Sequence, residues 1–340
     1  MPPRYSREIT RPVVLGAQLK EQFRTSPCET SCPIGNSIQK MNSLIEKGQF
    51  TEALRYLRAK NPFPGITGRV CPHFCMDACN RKEMDGCLNI RALERAAETF
   101  AERGHVFFKR RPATGKKAAV IGGGPAGLTA AYFLALLGHE VTIYEAEPLL
   151  GGVPRYGVPN FRLPRDVVDR EVGLVLEAGV RACVNTRVGV DITMEEISAR
   201  YDAVIVATGV PAENSLPIPG AEKAVKAVEF LRAAALGQNT GKIGKNVVIM
   251  GGGGVAFDCA FTARRLGAEN VHVICLEKAG EMRAPAEDLE LAAKEGVHVH
   301  NSCTMSAIRV KEGRATGVDY YEVAACRFDE AGRLSLDPVP

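Results

Sequence analysis

The sequence predicts an α/β protein in which two Rossmann-like dinucleotide-binding domains are preceded by a small α-helical, cysteine-rich domain. Two observations carry the α/β part: strand, glycine turn, helix and second strand follow one another from Ala118 to Glu147, and again from Lys245 to Glu277. A third carries the helical part, because six of the eleven cysteines fall before residue 88, among short amphipathic segments.

At 340 residues, two or three domains are expected, and 46% apolar with 24% charged residues is ordinary for a globular chain. A net charge of +4, spread evenly and without an aromatic-basic stripe, argues against nucleic acid as a partner. No apolar run approaches the ~18 residues of a membrane span. Met1 to Glu8 lacks the apolar core of a signal peptide, so a cytoplasmic location is expected, where cysteines serve as thiols or ligands rather than as disulfides.

Residues 1–112 are read as the helical domain. Cys28-x3-Cys32-Pro opens the cysteine set, Cys71-Pro-x2-Cys75-x3-Cys79 continues it, and Cys87 follows. Ile38, Met41, Leu44 and Ile45 share one helical face; Ala53, Leu54 and Leu57 share another after a Thr51 N-cap. The breaker-rich stretch Asn61 to Arg69 predicts a loop, and a third helix is expected over about Ile90 to Glu102. Cys-Pro pairs at short repeated spacings suit iron–sulfur clusters. Zinc is the competing reading, but it favours C-x2-C knuckles, whereas these loops are C-x3-C with His73 inside one. Lys109 to Lys117 reads as a solvated basic linker.

Residues 113–219 are read as the first dinucleotide domain. Gly122, Gly124 and Gly127 form G-x-G-x-x-G at a helix start, where unpaired N–H groups and the positive dipole end meet a pyrophosphate. Glu145 stands 23 residues after Gly122, placed to accept hydrogen bonds from ribose hydroxyls. Gly151 to Pro164 is too rich in Gly and Pro for regular structure and suits a loop that wraps the rest of a cofactor. Asp166 to Ala178 reads as helix, and Tyr201 to Gly209 as a buried strand ending in a turn.

Residues 220–330 are read as the second such domain, with 331–340 a truncated tail. Gly251, Gly253 and Ala256 repeat the fingerprint, and Glu277 ends the next strand 26 residues after Gly251. Two fingerprints imply two dinucleotides, one bound flavin and one exchanging nicotinamide. An acid at Glu277, flanked by Leu276 and Lys278 rather than arginines, favours NADH over NADPH. His139, His298 and His300 read as structural or surface residues.

The cysteine domain, the Gly122–Gly127 unit, Gly151-Gly152 with Tyr156 to Pro164, Ala207-Thr-Gly209 and Gly251–Asp258 together resemble the small subunit of bacterial glutamate synthase and the N-terminal half of dihydropyrimidine dehydrogenase. The resemblance implies an NAD(P)H-dependent FAD and iron–sulfur oxidoreductase whose N-terminal part is an α-helical iron–sulfur domain. It implies FAD at Gly122, Gly124, Pro125, Ala126, Gly127, Glu145, Ala146, Gly151, Gly152, Tyr156, Arg162, Leu163, Ala207, Thr208 and Gly209. It implies NAD(P)H at Gly251, Gly253, Gly254, Val255, Asp258, Glu277 and Lys278, and one or two [4Fe–4S] clusters. Cys32, Cys71 and Cys75 match one cluster, with Glu94 at its non-cysteine position. Cys28 and Cys79 match ligands of another cluster whose C-x2-C is replaced by Lys20 and Phe23, and Cys87 joins them as a rebuilt site.

Relatives that use NADPH carry two arginines at Leu276 and Glu277; the Cys-Leu-Glu ending is similar to NADH-linked relatives, such as the flavoprotein serving dissimilatory sulfite reductase. The family's return to the FAD domain is not found after Val318, where Phe328 to Arg333 reads as a hairpin-like turn, so the chain is expected to belong to a longer protein or a complex. The expected activity is hydride transfer to flavin and single-electron steps to a redox protein partner. A glutamate synthase role with a large amidotransferase subunit, and a non-catalytic relay subunit, are the alternatives.

Overall fold

The computed structural model describes residues 8–12, 20–102, 108–210, 217–238, 243–328 and 334–339. Two compact units form, residues 1–154 with 160–209, and residues 155–159 with 210–340. In the first, β1 (Glu8–Pro12) and β2 (Lys20–Arg24) pair antiparallel. Helices follow: α1 (Pro27–Ser31), α2 (Ile38–Glu46), α3 (Phe50–Arg58), α4 (Pro64–Val70), α5 (Phe74–Asp77) and α6 (Ile90–Phe100).

The apolar faces read from the sequence do turn inward. Ile38, Met41, Leu44, Ala53 and Leu57 form one core with Ile90 and Ala97, and Cys28, Cys32 and Cys75 pack on it. Thr51 is not the N-cap of α3. Gln49 holds that position, and Thr51 Oγ1 instead accepts the Glu102 N–H at 3.0 Å. The stretch expected to be a loop contains α4, because Pro64 stands in its first turn, where a missing N–H costs nothing. Its glycines are there for close approach. A Cβ on Gly68 would stand 2.7 Å from the Arg95 backbone nitrogen of α6, and one on Gly65 would stand 2.5 Å from Glu171 Oε1. The helix gives up about 1 kcal/mol of intrinsic propensity per glycine and gains a tightly seated position.

From the first nucleotide strand on, the chain runs β3 (Lys117–Ile121), α7 (Pro125–Leu136), β4 (Glu140–Tyr144), α8 (Val153–Tyr156, whose end belongs to the second compact unit), α9 (Arg165–Glu177), β5 (Arg181–Cys183), α10 (Met194–Arg200) and β6 (Ala203–Val206). The sheet order is β5-β4-β3-β6, all parallel. Strand order reverses between β3 and β6, the point where a doubly wound sheet opens a crevice at its carboxyl ends. Two readings need correction. Gly151 to Pro164 does contain one helical turn, α8, and β6 is a half-exposed edge strand rather than a buried one.

A charged joint that the sequence reading missed ties the helical part to α9. Glu171 is fully buried; its Oε1 accepts the Gly65 N–H at 2.7 Å, and Arg58 Nη2 lies 3.4 Å from Oε2. Beside it Glu98 bridges Arg69 and Arg170. Burial pushes the Glu171 carboxyl up to about 7, against the opposing pull of Arg58 and the Gly65 N–H. A carboxyl raised in the folded state stabilises the fold below its unfolded value and loses that contribution as pH rises through about 7. Chemical denaturation at pH 5.5 and pH 8 is therefore expected to show a stability loss to which Glu171 contributes up to about 1.4 kcal/mol per pH unit, a contribution that Glu171→Gln removes.

The second unit contains α11 (Ala227–Ala235), β7 (Asn246–Met250), α12 (Gly254–Arg265), β8 (Asn270–Ile274), α13 (Ala286–Lys294), β9 (Val297–His300), β10 (Cys303–Lys311), β11 (Arg314–Phe328) and β12 (Leu334–Pro338). The strands β7-β8-β9 form a parallel sheet and β10-β11-β12 an antiparallel one. Phe257, Phe261, Val271, Val273 and Val297 make its core. β8 stops at Ile274, three residues before Glu277. The expected turn after Phe328 falls largely on 329–333, outside the described residues; β11 and β12 on either side pair antiparallel. Among the described residues no helix is long and apolar enough to cross a membrane.

Candidate functional site

The two glycine turns have the same build. Gly122, at φ +106°, makes the bend after β3, and a Cβ there would stand 2.4 Å from the Ala207 carbonyl oxygen. Ala207 thus lies directly against the turn, held by its N–H to Ile121 O at 2.8 Å, with Thr208 and Gly209 exposed beyond it. Gly127 lets α7 close on the turn, since its Cβ would meet Gly122 O at 1.9 Å. Gly124 is the N-cap of α7 and has no side-chain cap, and Pro125 and Ala126 in the first turn are exposed. The free N–H groups of a helix start and open space beside a glycine are what a pyrophosphate needs. In the second unit Gly253 caps α12 in the same way; Gly253 and Gly254 have nothing within 4 Å of where a Cβ would be, and Val255 is exposed.

Both acids reach their turns. Glu145 is buried; Oε2 accepts the Gly123 N–H at 2.6 Å and Oε1 the Glu147 N–H at 2.8 Å, so it is fixed with further lone pairs available beside Ala146. Glu277 Oε2 stands 2.5 Å from where a Cβ of Gly252 would be, although its strand ended three residues earlier. Lys278 is exposed and Asp258 half-buried. Gly151 donates to Gly123 O at 2.8 Å, and a Cβ on Gly152 would stand 2.6 Å from the Gly124 Cα. Tyr156 and Leu163 are buried and Arg162 is half-buried.

The cysteine pocket is electrostatically one object. Cys71 closes α4, Cys75 lies in α5, Cys32 closes α1 and Glu94 is buried on α6. Burial, then Cys32, Cys71 and Glu94, push the Cys75 thiol up to about 12. Burial likewise raises Cys71, with Glu94 and Cys32 adding to it and the His73 N–H opposing. Burial also lifts Glu94 to about 7, although Oε1 accepts from Asn61 Nδ2 at 2.8 Å and Thr67 Oγ1 at 2.7 Å. Three thiols and a carboxyl so placed are poor anions on their own; a cationic iron–sulfur core reverses that by supplying the missing positive charge. The sulfurs already receive backbone donors, from Asn36 to Cys32 and from His73 to Cys71, each at 3.4 Å. His73 adopts φ +50° to do so. The donor set fits a cluster.

Cys28 hydrogen-bonds to Ser26 Oγ at 3.1 Å, Cys79 precedes a 3₁₀ turn, and Cys87 is exposed. Among the described residues no three His, Cys, Asp or Glu side chains converge as a single metal ion requires. His139 lies before β4 as expected, its Nδ1 2.7 Å from Thr114 Oγ1. His298 and His300 stack with His272, an array visible only once β8 and β9 are aligned.

Residues 116–328 match the family model described as pyridine nucleotide-disulphide oxidoreductase, and residues 17–105 match dihydropyrimidine dehydrogenase domain II, 4Fe-4S cluster. The chain is 36% identical over 345 residues to the NADP(+)-dependent formate dehydrogenase subunit beta of Moorella thermoacetica, covering 94% of this chain and 49% of that one. It is 36% identical over 326 residues to the NADPH-Fe(3+) oxidoreductase subunit beta of Geobacter sulfurreducens, covering 93% and 48%. To the glutamate synthase [NADPH] small chain of Bacillus subtilis it is 38% identical over 258 residues, covering 72% and 52%. The chain spans about half the length of these curated relatives. Among solved structures, FprA from Mycobacterium tuberculosis superimposes with a TM-score of 0.56 at 20% identity over 67% of each chain, a likeness of fold.

Proposed function

Because the chain belongs to the pyridine nucleotide-disulphide oxidoreductase family, we propose that it moves electrons between NAD(P)H and a protein partner through FAD and a [4Fe–4S] cluster. The observation that carries this reading is the presence, in one polypeptide, of two glycine-turn helices without side-chain caps, the second with open space at Gly253 and Gly254, and a half-buried group of three thiols beside a buried carboxyl. When bound, a flavin takes up two electrons as a hydride and releases them singly to a carrier such as an iron–sulfur cluster.

The protein's own work is then positioning. The first turn of α7 offers N–H groups to the FAD pyrophosphate, Glu145 accepts from its ribose, and Gly151, Gly152, Arg162, Leu163 and Ala207–Gly209 enclose the remainder. Gly251, Gly253, Gly254, Val255 and Asp258 do the same for the nicotinamide dinucleotide. Cys32, Cys71, Cys75 and Glu94 hold one cluster. Iron and acid-labile sulfide of about 4 per chain fit that set alone, and about 8 requires a second at Cys28, Cys79 and Cys87.

NADH is the preferred reductant on this reading, although relatives above carry names that specify NADP(H). Glu277 reaches the second turn, where its carboxylate accepts from a free 2′-hydroxyl and repels a 2′-phosphate. Glu277→Arg is expected to shift the kcat/KM ratio toward NADPH by at least about tenfold, or about 1.4 kcal/mol. A wild type that prefers NADPH contradicts the assignment. The partner is a subunit of a larger assembly. A second reading, delivery of electrons to a large amidotransferase subunit, is favoured by the identity to the glutamate synthase small chain. Glutamate formed from glutamine and 2-oxoglutarate, with that partner added, separates the two.

A further inference from the structure

The buried joint between the helical part and α9 is more than an anchor. The Glu171 carboxyl has no solvent exposure, yet it receives one good hydrogen bond, from Gly65 N–H at 2.7 Å, and one long contact, from Arg58 at 3.4 Å. The charged and titratable groups around it come from five helices. Arg58 projects from α3; Glu98 from α6, paired with Arg69 of α4 and with Arg170 of α9; and Tyr132 from α7. The Tyr132 hydroxyl is buried and has no hydrogen-bond partner. This is polar, underbonded space inside an otherwise packed seam, and it can hold either charge state of the carboxyl.

The joint is linked directly to the cysteine pocket by α4. Gly65, in the first turn of this helix, donates to Glu171; Thr67 in its middle donates to Glu94; Cys71 closes its end. Cys71 stands six positions after Gly65 along α4 and its C-cap, an axial rise of about 9 Å.

We propose that Glu171 is a redox-linked proton site, taking one proton from water when one electron enters the cluster at the far end of α4. The inference rests on the iron–sulfur reading above. The electron comes from reduced nicotinamide or, in the test, from dithionite; the proton leaves water and forms an O–H bond on the Glu171 carboxylate, and no other bond changes. An added negative charge separated from the carboxyl by at least that rise, in a medium of effective dielectric about 20, favours the protonated carboxyl by a factor of up to roughly twenty. The Glu171 proton equilibrium sits near neutrality, because burial disfavours its charge, so the coupling falls in an accessible pH range.

The test is a redox titration of the cluster signal in the holoprotein at pH 6, 7, 8 and 9. The wild-type midpoint potential is expected to fall across this range by about 59 mV in total, the equivalent of a tenfold coupling. Glu171→Gln keeps an acceptor for Gly65 N–H and is expected to have a potential independent of pH. An equal fall in the variant, which would place the proton on another group such as Glu94, overturns the proposal, as does a flat wild-type profile. If the variant does not retain its cluster, an indicator-dye count on the wild type at pH 7.5, poised so that the flavin stays in one redox state while the cluster is reduced, decides: uptake of protons with the cluster electron supports the assignment and none overturns it. A wild type with no iron–sulfur signal at all sinks the reading beneath the proposal, a result separable from the others.

Discussion

Replacing Gly127 with alanine is expected to give a chain that neither holds flavin nor keeps its stability. The added Cβ would stand 1.9 Å from the Gly122 carbonyl oxygen and 3.1 Å from the Gly122 carbon and from Val120 Cγ1. The first two are backbone atoms of the turn, so no side chain can rotate away. Either α7 withdraws from β3 or the turn opens. Overpacking of this kind costs about 3 kcal/mol, a fall in Tm of roughly 6–12 °C for a unit of this size. Moving the turn also misaligns the first N–H groups of α7, which the pyrophosphate requires. Visible absorbance of purified protein should drop from about one flavin per chain to a small residue. Gly173, on the neighbouring helix α9, has nothing within 4 Å of a Cβ position, so Gly173→Ala is the control that should leave flavin content unchanged.

The second large effect is expected at Cys75. Its thiol lies at the meeting of Cys32, Cys71 and Glu94, where burial and their charges disfavour an isolated thiolate. Cys75→Ser should therefore lose the cluster outright, taking iron from about 4 per chain to below 1. Helical content should fall with it. The core around Ile38, Met41, Leu57 and Ile90 is small, and Cys28, Cys32 and Cys75 are themselves part of its packing, so the metal's binding energy is part of the folding energy. Flavin content is expected to stay near wild type, because Gly122–Gly127 and Glu145 make no contact with Cys75 through the hydrogen bonds that fix them. Loss of both cofactors together would instead mean that the helical part is needed to form the FAD cradle.

Much of the fold was legible because it rests on local pattern. The two glycine turns, the acids Glu145 and Glu277 and the parallel strands β3, β4, β7 and β8 follow from glycine spacing and apolar runs. The buried faces of α2 and α3 follow from helical periodicity. The reading failed where tertiary contacts overrode local signals. α4 contains one proline and two glycines, yet it is a helix, since Pro64 suits its first turn and Gly65 and Gly68 permit contact with Glu171 and Arg95. β6 was read as buried from Ala203-Val-Ile-Val, but a strand's place in the sheet order is not written in its composition.

The cysteine pocket was half legible. Spacing nominated the six early cysteines and the family resemblance singled out Cys32, Cys71 and Cys75 with Glu94, while their gathering depends on how α4 and α6 cross. The Glu171 joint was missed altogether. Its signal was present, a glutamate on the apolar face of α9 among Val167, Val168, Val172 and Val175, but its partners lie more than a hundred residues earlier, at Arg58 and Gly65.

The account stands or falls on electrons passing within one chain from a nicotinamide to iron. An anaerobic titration of the purified protein with NADH, followed together by flavin absorbance and by low-temperature EPR of the cluster, tests this directly. The expected result is flavin bleaching accompanied by a growing cluster signal, with Cys75→Ser showing the bleaching alone. A wild type whose flavin bleaches fully while its iron–sulfur signal never changes would contradict the account.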